Sequence, residues 1–198
     1  MRTALPLALC LASCLAGCGA STEPVESPPQ ALPSAGEPRL ADGVVAMENT
    51  CAEGAPEVCD ALDSDCDGRI DEGCEGVSEG AVHVAVAWSG DADLDLVIEG
   101  PSTSGETEDA RGACAEPAHR LERRVMDHAV AGEYVVRLRR ADACGGEDPV
   151  TASVSVSAAG RLLGTFNRTL APDTSDGEAV EIVRFSIESG GSARPSSD

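Results

Sequence analysis

The chain has 198 residues, 42% hydrophobic but only 2% aromatic, and a formal net charge of −21. That length allows one ordinary domain plus appendages, and that charge repels nucleic acid and anionic lipid while attracting divalent cations. All fourteen basic residues are arginine, a mark of GC-rich coding rather than of function. Residues 1–17 set an apolar run behind Arg2 and end in small residues, which is the pattern of a secretory signal and too short for a stable transmembrane helix. From 18 to 43 the chain is rich in Pro, Ser, Ala and Glu with no apolar period, so an extended, disordered tether is expected there. An acidic, cysteine-rich module spans 44–78, a block of alternating apolar runs spans 79–188, and the tail 189–198 is again expected to be disordered.

The alternating block reads as short strands. Val82, Val84, Val86 and Trp88 alternate, as do Leu94, Leu96 and Ile98, then Tyr134, Val136 and Leu138. Val150, Ala152, Val154 and Val156 alternate against Thr151, Ser153 and Ser155, and Val183, Phe185 and Ile187 complete the set. Turn clusters such as Ser89-Gly90-Asp91 separate these runs, and no convincing helix intervenes. The expected fold is all-β: an antiparallel β-sandwich, jelly-roll or Ig-like, preceded by a small disulfide-rich cation-binding module. His83 shares the non-core face of its run with Ala85 and Ala87, which makes it a surface histidine by expectation.

Of nine cysteines, Cys10 and Cys14 lie in the signal. Once Cys18 is set aside, six remain, an even number that suggests three disulfides in an oxidising compartment. Cys114 and Cys144 flank the Tyr134 strand and are expected to pair, while the pairing among Cys51, Cys59, Cys66 and Cys74 stays open. Six arginines (Arg120, Arg123, Arg124, Arg137, Arg139 and Arg140) form the one basic patch, suited to internal charge compensation or to docking the acidic module.

Residues 51–74 hold four cysteines, eight acidic residues and one arginine, a local charge of −7 (one minus eight). Within them Asp63, Asp65 and Asp67 stand at every second position before Gly68, which suits a tight loop closing on a hard, oxygen-seeking cation. Against the twelve-residue EF-hand loop, these aspartates fill positions one, three and five, the Arg69 carbonyl seven and Asp71 nine. Cys74 occupies the place of the bidentate glutamate at twelve, so Glu72, Glu57 or Asp60 must complete the shell. Copper prefers imidazole or soft sulfur, and this segment has no histidine; its carboxylates favour Ca²⁺, with copper or another divalent metal behind. Asp91, Asp93 and Asp95 form a possible second cation site, with a solvated acidic edge as the plainer reading. No catalytic constellation is present: the three histidines are scattered and no nucleophile elbow occurs, so the chain is read as non-enzymatic.

Three resemblances follow from these residues. Leu15-Ala16-Gly17-Cys18 resembles the lipobox of bacterial lipoproteins, with Leu11-Ala12-Ser13-Cys14 fitting the same pattern. It implies cleavage before Cys18 and lipidation of that cysteine, hence a membrane partner through the lipid, and Gly19 after it implies the outer membrane or cell surface. The run Glu57-Val58-Cys59-Asp60, Asp63, Asp65-Cys66-Asp67-Gly68 and Asp71-Glu72-Gly73-Cys74 resembles a metal-binding repeat of bacterial surface proteins, named after a copper-binding family. Trp88 to Val97 with Gly100-Pro101, and Gly132-Glu133-Tyr134-Val135-Val136, resemble a secreted β-sandwich domain that accompanies peptidases or stands in surface lipoproteins; Val97 replaces that family's histidine. Together they imply an exported surface protein with a binding or display sandwich, its protein or polymer partner unspecified. The other readings are a transition-metal-handling protein, or an accessory or inhibitory domain of a secreted hydrolase system.

Overall fold

A computed structural model describes residues 33–74, 81–101, 106–108, 114, 120–172 and 178–189. The signal, Cys18 and nearly all of the tail lie outside the described residues. Among those described, every regular element is a strand and all pairings are antiparallel.

Among the described residues eleven strands build two sheets: β1 (Ser34–Ala35), β2 (Arg39–Leu40), β3 (Val45–Met47), β4 (Val82–Ser89), β5 (Asp93–Glu99), β6 (Glu106–Glu108), β7 (Leu121–Met126), β8 (Gly132–Asp142), β9 (Val150–Ala158), β10 (Arg161–Leu170) and β11 (Val180–Glu188). One sheet runs β1-β11-β8-β5 with β2 also on β11, and the other runs β3-β10-β9-β4-β7-β6. The alternation read from the sequence fixes the faces. Val82, Val84, Val86 and Trp88 of β4 meet Leu94, Tyr134, Val136, Val154 and Phe185 in one core between the sheets. Tyr134 stacks on Phe185 at 5.3 Å, and its hydroxyl donates to the Val130 carbonyl at 2.9 Å, so the buried ring keeps its polar tip satisfied. The Trp88 indole likewise donates to the Ala92 carbonyl at 2.8 Å and holds the acidic turn between β4 and β5.

Two boundaries differ from expectation. The tether does not extend to residue 43: β1 and β2 add to the edge of β11, and the chain then crosses to place β3 on β10. Arg39 pairs with Glu133 at 2.6 Å, and Arg168 donates to the Asp42 carbonyl, so a segment with no apolar period is held by ladder bonds and arginines instead. The sandwich thus includes residues from the stretches assigned to tether and module. The third disulfide is the expected one, Cys114–Cys144.

Candidate metal centre

The module has almost no apolar core, and two interleaved disulfides hold it: Cys51–Cys66 and Cys59–Cys74, each spanning 15 positions. Carboxylates do the rest. Asp63, only 2% exposed, accepts the N–H of Cys66 at 2.8 Å and of Gly68 at 3.1 Å. Asp65 accepts the Asp67 N–H at 3.0 Å and Asp67 accepts the Arg69 N–H at 2.8 Å, so each acid closes the turn that presents the next. Glu57 is the hub: one oxygen accepts from Ser64 and Asp65, the other from Asp71.

This folding brings five carboxylates together in two groups that share Asp65. Asp63, Asp65 and Asp67 offer oxygens within 4.8 Å of one another, and so do Glu57, Asp65 and Glu72. Two oxygens bound to one Ca²⁺ stand no more than about 5 Å apart, twice the usual bond length, so both groups have ligand spacing. Glu57 and Glu72, two of the three candidates to complete the shell, are therefore the ones that fold toward it, whereas Asp60 caps the Leu62 N–H at 3.2 Å. Arg69 is exposed, its guanidinium 3.7 Å from Asp67. Burial pushes the Glu57 carboxyl up, against N–H donors from Ser64, Asp71 and Asp65. Burial also raises Glu72, and the charges of Glu57, Asp67 and Asp65 add to it. One Glu72 oxygen is buried and accepts no hydrogen bond. Crowded, partly desolvated carboxylates are what a divalent cation relieves.

Asp71, expected as the ninth-position ligand, is diverted. It is fully buried and accepts from Arg123 Nε at 2.9 Å and Nη2 at 2.8 Å, and from the N–H groups of Asp60 and Ala61. The reason is that the module does not stand apart: it lies on the outer face of the second sheet. There Ile70 inserts among Ala85, Ala87, Leu121 and Leu162, and Ser157 Oγ donates to the Gly68 carbonyl at 2.7 Å. Gly68 has φ +91° and sits against the β9–β10 turn, where an added Cβ would come within 3.3 Å of the Leu162 nitrogen. Only glycine suits both the left-handed backbone and that approach.

The same docking corrects the reading of His83, which is not a surface residue but 7% exposed. Burial, then the nearby Arg123 charge, lowers its pKa from 6.5 to about 4. The folded pKa lies below the unfolded one, so the associated stability is present above pH 6.5 and is lost as pH falls toward 4. The gap is worth roughly 3 kcal/mol. Urea unfolding at pH 7.5 and 4.5 should show much of that loss in the wild type and a smaller loss in His83→Leu; equal losses would refute it.

The possible second cation site does not form. Asp91 pairs with Arg120 at 2.8 Å, Asp95 pairs with Arg139, and the two do not converge with Asp93 on a common point. Arg137 likewise lies between Glu99 and Glu181, Arg123 docks the module, and Arg140 donates to the Ala171 and Gly146 carbonyls, so these arginines serve internal pairing. Arg123 was legible only as one of six; its partner was not. Comparison of the chain with protein-family models, with curated proteins and with solved structures gives no match.

Proposed function

We propose that the chain is an exported, lipid-anchored surface protein whose disulfide module binds Ca²⁺ and whose sandwich serves binding or display rather than catalysis. The observation that carries the cation reading is the convergence of Asp63, Asp67, Glu57 and Glu72 on Asp65, with all four module cysteines consumed in disulfides. That leaves oxygen as the donor type, which favours a hard cation over copper. The lipid anchor rests on Leu15-Ala16-Gly17-Cys18, and export also agrees with three disulfides.

Calorimetric titration of the oxidised full chain with Ca²⁺, Mg²⁺ and Cu²⁺ tests the cation. Saturable Ca²⁺ binding is expected in the wild type and should weaken at least tenfold in an Asp65→Ala, Asp67→Ala double variant. Tight Cu²⁺ binding without a Ca²⁺ response would reverse the assignment, and no response to any cation would remove it. Mass spectrometry of membrane-extracted protein should find a diacylglyceryl adduct on Cys18, absent in Cys18→Ala.

A further inference from the structure

Arg123 belongs to the sandwich and offers nothing a cation could bind, yet the geometry connects it to the carboxylate cluster. The six residues from Asp67 to Glu72 serve two masters. Asp67 and Glu72 at the ends belong to the cluster. Between them the Gly68 carbonyl is held by Ser157, Ile70 is buried against β4 and β7, and Asp71 is held by Arg123. A second link runs through the backbone: the Asp71 N–H donates at 3.0 Å to Glu57, whose other oxygen fixes Ser64 and Asp65. Moving Asp71 therefore moves Glu57 and Glu72 together.

We infer that Arg123 is a positioning residue for the cation cluster, so that cation binding and seating of the module on the sandwich are coupled. The inference rests on the Ca²⁺ reading above and adds its control. Without a cation the carboxylates repel one another and load the segment from Asp67 to Glu72; the Arg123–Asp71 pair holds that segment against the load. Cation and arginine act on the same strain, and coupling of this kind is reciprocal. Whatever factor Arg123 contributes to Ca²⁺ affinity, Ca²⁺ contributes to docking.

The test is Ca²⁺ calorimetry on the oxidised full chain carrying Arg123→Met, Asp71→Asn, both together, and Ser157→Ala. None of these changes a carboxylate of the cluster. Either single change at the ion pair should weaken Ca²⁺ binding at least tenfold, the double variant should be no weaker than the singles, and Ser157→Ala should lose a few-fold. Additive losses would indicate separate structural damage and overturn the inference. Wild-type affinity in Arg123→Met, with the Trp88 near-ultraviolet signal intact, would overturn the coupling while leaving the cation site standing. Absence of Ca²⁺ binding in the wild type would overturn both. Should Arg123→Met fail to fold, Asp71→Asn and Ser157→Ala carry the same comparison.

Discussion

Replacing Asp71 with alanine is expected to destabilise the protein by about 3 to 5 kcal/mol, the usual consequence of removing one partner of a buried ion pair. Arg123 would keep its charge with only 7% of its side chain exposed, and the N–H groups of Asp60 and Ala61 would lose their acceptor. Ala61 itself sits at φ 69°, a left-handed conformation that an alanine adopts at a cost of about 1 kcal/mol or more, and the Asp71 carboxylate helps to hold it there. Urea unfolding at neutral pH measures the loss, and a loss below about 1 kcal/mol would show that the pair does not hold the module. The double change Asp71→Leu, Arg123→Met is the control. It removes both charges at once and should recover much of the stability, because well-packed apolar replacements of buried pairs are often neutral.

Removing one module disulfide, Cys59→Ser with Cys74→Ser, should lower stability by about 3 kcal/mol, the chain-entropy value for a ring of this size. The effect should be local. Among residues 51–74 the fully buried apolar side chains are Ala61 and Ile70, too few to hold a backbone whose N–H groups depend on Glu57, Asp63 and Asp71. The sandwich has its own core and its own Cys114–Cys144 bridge. Hydrogen exchange should therefore show lost protection across residues 51–74 and retained protection in β4, β8, β9 and β11. Undiminished protection at Ala61 and Cys66 would show that the remaining bonds suffice.

Period-two alternation was enough to find β4, β5, β8, β9 and β11, because each has one face in the core. It could not find β7, where Glu122 and Arg124 take the register positions opposite Val86 and Val84 while Arg123 faces the module. Glu122 is buried and accepts the Leu96 N–H at 2.7 Å, joining the two sheets with a carboxylate where a hydrophobe would be expected. Strand β10 was hidden by its bulge: the register shifts between Leu162 and Gly164, so the core-facing residues change phase, from Leu163 at the shift to Phe166 and Leu170 after it, and the period-two pattern breaks. In the module, the aspartate spacing announced the loop and its first three acids. The roles of Asp71 and His83 were illegible for one shared reason: a strand pattern tells which face points outward but not what lies on top of it.

Beside the apolar spot that receives Ile70, the sheet face toward the module carries a row of hydroxyls. Ser155 bonds Thr165 at 2.8 Å and Ser153 donates to Asn167 at 2.7 Å, while Thr151 and Thr169, 3.2 Å apart, carry the row out into solvent, each bond linking β9 to β10. Such a surface supports its cover without adhering to it as hydrocarbon would. If the module lifted, the ion pair would be lost and the apolar side chains under Ile70 would meet water, but the hydroxyl row beside them is already bonded to itself. The module is thus seated by one small apolar contact and one buried ion pair, beside hydroxyls that are bonded to one another whether or not it covers them.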